Sequence, residues 1–222
     1  MTAPRWLIGA PEELPTGAVL VAPHPDDETL GYGGVLRWLL DHGVPCTILA
    51  VTDGEGSHAA SSRIRPCELA ELRAEERSRA LALLGAASVP VQRLRLPDGE
   101  VDAHRLELTE ALDPLLGAGT CVIVPWHQDA HCDHRAVAEA ASAVAAASDT
   151  AVWEIPIWGR VAGFDEPCSV LELGPFAACK RRAAEQFRTQ IHALGPSPED
   201  GPVLRSFELR AFLQPTELVM MT

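Results

Sequence analysis

Short strand-like runs alternate along this chain with longer stretches of helical apolar spacing, and few features restrict a fold more. The runs are "GAVLVA" (17–22), "CTILAVT" (46–52), "VQRLRL" (91–96), "CVIVPW" (121–126) and "AVWEIPI" (151–157). Helix-like stretches fill the gaps: 28–42, ended by Gly43; 66–84, closed by Gly85; "DAHRLELTEALDPLLGAG"; and "DHRAVAEAASAVAAAS". A glycine just past the last turn is a common helix terminator, because it enters the left-handed region without strain. Strands that alternate with helices of this length predict an α/β chain. Its sheet is mostly parallel, with helices on both faces in three α/β/α layers, a Rossmann-like arrangement.

Beyond residue 159 the pattern loosens. It predicts one helix over about 175–194, a Pro/Gly/Asp loop at 195–202 and a strand in "RSFELRAFL" (205–213). No repeats or low-complexity linkers interrupt the 222 residues, which read as one domain over 1–222.

Composition narrows the partners. A net charge of −13 excludes nucleic acid and anionic lipid as principal partners, since both reward basic surfaces. No apolar run reaches the roughly 18 residues of a membrane span. The opening "MTAPRWLIGAPEELPTG" lacks a charged segment followed by a long apolar one, so a cytoplasmic protein without a leader is expected. The six cysteines form no CxxC pair, and Cys46 and Cys121 fall inside strand-like runs, which fits free thiols in a reducing compartment. Self-association is left open.

Two polar clusters stand out from this frame. "VLVAPHPDDETLGYGG" (19–34) leaves the first strand directly into a histidine, two aspartates and a glutamate. "PWHQDAHCDH" (125–134) follows the fourth strand. In open α/β sheets ligands bind beyond the carboxyl ends of the strands, where both clusters lie. Buried acid at such a place is costly without a positive partner.

The residue types name that partner. His24, Asp27 and His134 supply two imidazoles and a carboxylate, the donor set of an open catalytic zinc site. Asp26, beside Asp27, stays free to take a proton from metal-activated water. His131, as imidazolium, would stabilise an oxyanion or protonate a leaving amine. Asp133 would orient one of the histidines. Together these groups suffice to hydrolyse an amide.

Taken singly, "HPDDE" reads equally well as a solvated turn in which an aspartate caps the next helix, and "HCDH" as an ordinary helix start. His42, His104 and His192 have no acidic company and read as surface residues, whereas His58 and His127 are candidates for the rim. "GYGG" (31–34) does not fit GxGxxG and lies within the helical pattern, so its glycines read as allowing close helix–sheet approach rather than nucleotide binding.

"VLVAPHPDDETLGYGG" together with "HCDHRAV" resembles the LmbE-like (PIG-L) zinc-dependent N-deacetylases, which remove acetyl groups from N-acetylglucosamine-type sugars. "VTDGEGS", "RAEE", "LPDGEV" and "KRRAAEQFRTQ" add weaker likeness along most of the chain. The resemblance implies His24, Asp27 and His134 as zinc ligands and Asp26 as the general base. It implies His131 as the residue that stabilises or protonates the tetrahedral intermediate, with Asp133 tuning it. It also implies sugar contacts from Arg73 and Asp98, and admits Fe2+ or Co2+ in place of Zn2+, since N/O donors discriminate poorly among first-row metals. "PWHQDAHCDH" followed by "EIPIW" looks like a bacterial branch acting on glycosylated metabolites or surface sugars. Cys132 departs from the pattern, which usually has proline there. The expected substrate is a small amino sugar; the alternatives are a broader amidase on thiol conjugates or peptide-like amides, and a sugar-binding module without catalysis.

Overall fold

A computed structural model describes residues 4–221. The expectations for the N-terminal stretch and for a domain over 1–222 extend to residues 1–3 and 222, which lie outside the described residues. The first half contains β1 (Arg5–Ile8), β2 (Gly17–Ala22), α1 (Asp27–Leu30), α2 (Gly33–Asp41), β3 (Cys46–Thr52), α3 (Pro66–Leu84), β4 (Val91–Leu96) and α4 (Arg105–Leu112). Then come β5 (Thr120–Pro125), α5 (Cys132–Ser148), β6 (Ala151–Ile155), α6 (Gly159–Ala162), β7 (Ser169–Glu172), α7 (Ala177–Ala184), α8 (Arg188–Ile191), α9 (Ser206–Phe212) and β8 (Thr216–Met221).

All eight strands form one sheet in the order β1-β7-β8-β6-β5-β2-β3-β4. The five from β6 to β4 are parallel, as the sequence predicts. The three at the other edge are joined antiparallel. Alternation along β2 sends Leu20 to one face, where it packs with Leu36 of α2, Leu84 of α3 and Ala183 of α7. Val19 and Val21 go to the other, against Leu108 of α4 and Val137 of α5. The sheet is therefore buried on both faces, which explains the apolar character of its central strands.

Three expectations are corrected. The helix read over 28–42 breaks at Gly31–Tyr32 into α1 and α2. The new N-terminus is held by Glu217 of β8, whose carboxylate accepts the N–H groups of Gly34 (2.6 Å) and Val35 (2.8 Å) and an N–H from buried Lys180 (2.6 Å). A buried carboxylate there satisfies donors that a helix start leaves open and matches the helix dipole. A Cβ on Gly34 would overlap Leu173 and Glu217, so the close approach read from "GYGG" is real at that position.

The helix read over 175–194 is two short ones, α7 and α8. The segment 205–213 is helical rather than a strand. Glu208 accepts the Arg205 N–H at 2.7 Å and its guanidinium at 2.7 Å, fixing the first turn of α9. Leu209, Phe212 and Leu213 then repeat at i, i+3, i+4 and turn toward the core. The strand is the following segment, β8. Among the described residues no helix is long and apolar enough to cross a membrane.

Candidate metal centre

The chain passes from β2 outward to β3 and β4, then returns to β5 on the opposite side of β2. Connections leaving β2 and β5 therefore diverge and open a crevice at the carboxyl edge, the topological switch point of such sheets. His24, Asp26 and Asp27 follow β2, while His131, Asp133 and His134 follow β5 and begin α5. The crevice encloses about 300 Å³.

Asp27 stands at its centre. Its Oδ2 lies 3.2 Å from His24 Nδ1 and 3.3 Å from His134 Nε2, and it accepts the His24 main-chain N–H at 2.9 Å. Three donor atoms thus converge from two loops. His134 is fully buried, and both its ring nitrogens face carboxylates at ion-pair distance without reaching hydrogen-bond geometry. Donors of this kind, converging and incompletely satisfied, fit a cation better than they fit one another. The ligand atoms of His24, His131 and His134 also lie within 4.8 Å of one another, so His131 borders the same point.

Carboxylates surround these ligands. His24 Nε2 lies 3.2 Å from both Asp98 Oδ1 and Asp133 Oδ2, and His134 Nδ1 lies 3.4 Å from Asp129 Oδ1. Burial disfavours charge on His134, yet Asp27 and Asp129 raise it to about 9. Burial opposes charge on His24 as well, but bonds to Asp133, Asp27 and Asp98 hold it well above the ordinary imidazole value. Asp27 is lowered although burial pushes it up, because His134 and His24 outweigh the desolvation. The field thus favours positive charge between these groups, and a dication displacing the two histidine protons would meet that demand.

Asp26 points elsewhere. Burial raises its pKa against the pull of Arg73, whose Nη2 lies 3.4 Å from Asp26 Oδ2. Arg73 is itself buried and donates from Nη1 to Gly54 O at 2.9 Å. Gly54 has φ +67°, and a Cβ there would collide with the guanidinium, so both conformation and space require glycine. Arg73 and Asp98, read as sugar contacts, both border the crevice. In this structure they also engage Asp26 and His24 respectively.

The resemblance implies that Asp133 tunes His131, and the structure divides that role. The Asp133 carboxylate accepts the Gly99 N–H (2.7 Å) and Val101 N–H (3.2 Å) and faces His24. Its main-chain N–H donates to His131 Nδ1 at 3.2 Å, and its carboxylate lies within 4.8 Å of a His131 ring nitrogen without bonding it. His131 Nδ1 is thus an acceptor, which leaves the ring proton on Nε2. Burial and the charges of His24 and His134 bring its pKa down to about 4, against the opposing pull of Asp133 and Asp27.

Sequence reasoning missed two groups. Asp129, 1% exposed, faces His134 Nδ1 with Oδ1 and accepts the Trp158 N–H with Oδ2 at 2.9 Å. Its only sequence signal is its place between Trp126 and His131. Gln190 of α8 reaches the crevice and donates to Ser57 Oγ at 3.3 Å, from 133 residues away. His58 is buried beside Ser57 and does not border the crevice, and His127 is exposed and paired with Glu154 at 2.7 Å. Cys132 is exposed at the start of α5, with Sγ 3.8 Å from Asp133 Oδ1.

This geometry agrees with the family record. Residues 19–145, more than half of the chain, match the model of PIG-L, the GlcNAc-PI de-N-acetylases. The chain belongs to the PIG-L family. The diacetylchitobiose deacetylase of Thermococcus kodakarensis is 29% identical over 119 residues, 52% of this chain and 43% of that protein, so the match spans less than half of the relative's length. The solved N,N'-diacetylchitobiose deacetylase of Pyrococcus horikoshii superposes with a TM-score of 0.69 at 19% identity, covering 94% of this chain and 84% of that one. A 4-carboxy-2-hydroxymuconate hydratase from Pseudomonas putida superposes with a TM-score of 0.66 at 12% identity, covering 93% and 96%. Both superpositions establish the fold. With a hydratase on the same fold, the reaction of this PIG-L member has to be argued from its side chains.

Proposed function

We propose that this chain is a metal-dependent N-deacetylase acting on the acetamide of an N-acetylglucosamine-type sugar or glycosylated metabolite. One observation carries the reading: Asp27 Oδ2 is shared between His24 Nδ1 and His134 Nε2 at 3.2 and 3.3 Å, with a second carboxylate, Asp26, beside it in the crevice. His24, Asp27 and His134 would hold the cation. Zinc suits this donor set, and iron(II) and cobalt(II) accept the same donors. When bound, a divalent cation supplies Lewis acidity, polarising the acetamide carbonyl and lowering the pKa of water at the site.

The remaining work falls to the chain's own residues. Asp26 takes a proton from the attacking water. Its burial makes it a stronger base than an exposed carboxylate, and it then returns that proton to the departing amine nitrogen. His131, neutral and protonated on Nε2, donates a hydrogen bond to the carbonyl oxygen as negative charge develops there. Asp133 and Asp129 hold the two ligand histidines in the required orientation, as carboxylates behind metal ligands do.

Acetate release from an N-acetylglucosaminide tests the reading. Release should disappear on chelation and return on adding back zinc, iron(II) or cobalt(II). Binding of the sugar without turnover in metal-loaded protein would favour a sugar-binding module. Turnover of thiol-conjugate or peptide-like amides alone would favour the broader amidase.

A further inference from the structure

The crevice has two kinds of lining. Polar side chains including His24, Asp26, Asp98, Ser57, His131 and Gln190 line it, and so does an apolar wall of Leu30, Ile157, Trp158, Val203, Leu204 and Phe212, with the Leu204 N–H donating to Gln190 O at 2.9 Å where the two kinds meet. Leu30, at the end of α1, belongs to the first motif, whereas the other five come from outside both motifs: the turn after β6, the segment before α9, and α9 itself. Trp158 packs edge-on against Phe212, with ring centroids 5.3 Å apart at 86°, and its main-chain N–H is fixed by Asp129. The wall is thus tied to the residue that faces the candidate ligand His134. Five of its six side chains carry no polar atom, and Val203 is 38% exposed at its margin.

Charge narrows what can lie there. Among the described residues Arg73 is the one lysine or arginine bordering the crevice, and it is 2% exposed, bonded to Gly54 and turned to Asp26. Apart from the cation proposed for the metal centre, a phosphate or carboxylate on the substrate would find three aspartates and no exposed lysine or arginine among the described lining residues. A second sugar ring would lose hydrogen bonds to water against five side chains that offer none in return.

We infer that the substrate carries an uncharged apolar substituent next to the amino sugar, and that the wall of Leu30, Ile157, Trp158, Val203, Leu204 and Phe212 receives it. This rests on the deacetylase reading above. The substituent has two chemical sources, an alkyl or aryl aglycone on the anomeric oxygen or a longer acyl chain on the nitrogen. Either would pass from water onto apolar surface and gain in proportion to the area covered.

The test compares metal-loaded protein on methyl and hexyl N-acetylglucosaminides, N,N'-diacetylchitobiose, and N-acetyl- and N-hexanoylglucosamine. Amine release gives kcat/KM, and calorimetry on the same ligands gives affinity without turnover. At least a tenfold gain from methyl to hexyl places the group on the anomeric oxygen, and the same gain from N-acetyl to N-hexanoyl places it on the amide. Val203→Asp, at a partly exposed position that tolerates polarity, should bring the long-chain to short-chain ratio of kcat/KM most of the way back toward one. Phe212→Ala, if it folds, should do the same. Absence of a gain in both series, or preference for diacetylchitobiose, would overturn the inference while leaving deacetylation intact. Tighter binding of the hexyl ligand with no turnover of any substrate would overturn deacetylation and leave the apolar wall standing.

Discussion

The Asp133 carboxylate sits against His24, its Oδ2 3.2 Å from Nε2, and two main-chain N–H groups from the loop after β4 hold it there. A motif that reads as one cluster, "HCDH", therefore divides its work between two loops. His131 borders the crevice, His134 faces Asp27 and Asp129, and Asp133 reaches across to the histidine that follows β2.

Asp133→Asn should accordingly weaken metal binding about 10- to 100-fold, the usual effect of losing a carboxylate behind a histidine ligand. Asn keeps an acceptor for the Gly99 N–H, so the fold should persist. Chelator competition measures the affinity. Unchanged affinity together with a displaced pH–activity profile would show that Asp133 serves His131 after all.

Metal binding should also depend steeply on pH. His134 is raised to about 9 and His24 also lies well above the ordinary value, so a cation must displace up to two protons. Apparent affinity should climb with pH, by up to two log units per pH unit, and the His134 contribution should level off above about 9. The metal-free protein should show the opposite trend in stability. A histidine whose folded pKa exceeds its unfolded value of about 6.5 contributes stability that is fully present below that pH and lost as pH rises through the folded value. Tm of the chelated protein should therefore fall between about pH 6.5 and 9, and added metal should largely remove that fall. A flat Tm in chelated protein across this window would contradict the raised value.

Much of this centre was legible in the sequence, because the central strands are buried on both faces and end abruptly in charge. Asp129 was not. It is one of two acids between β5 and His134, and only the folded loop shows that it faces His134 while Asp133 crosses to His24. Gln190 and the apolar wall were hidden for a related reason: they come from the C-terminal third, whose short, half-buried elements lack a clean period. β7, "SVLE", has one fully buried residue, and β1, "RWLI", is mostly exposed. In "RSFELRAFL" the apolar residues satisfy a strand and a helix alike until Glu208 is seen to hold the first turn.

Asp26→Ala should separate chemistry from binding. Asp26 faces Arg73, while Asp27 holds the shared position between the histidines, so the variant should keep its metal and lose about 10²- to 10⁴-fold in kcat. Loss of metal from Asp26→Ala, with retention by Asp27→Ala, would reverse the two assignments.

The last prediction concerns His131. A titrating imidazolium would give the pH–rate profile a basic limb belonging to this residue. We propose instead a neutral ring: Nδ1 already accepts the Asp133 N–H, and burial with two positive histidines nearby holds the ring down to about 4. A dication between His24 and His134 acts in the same direction as those charges. His131 should therefore be neutral throughout the working range, donating from Nε2 to the developing oxyanion. Loss of one such donor costs roughly 10²- to 10³-fold in kcat. His131→Ala should show that loss by the same factor at every pH from about 5.5 to 9, with metal content unchanged and the profile merely lowered. A variant whose profile loses its basic limb would instead identify His131 as a general acid that is protonated in the resting enzyme.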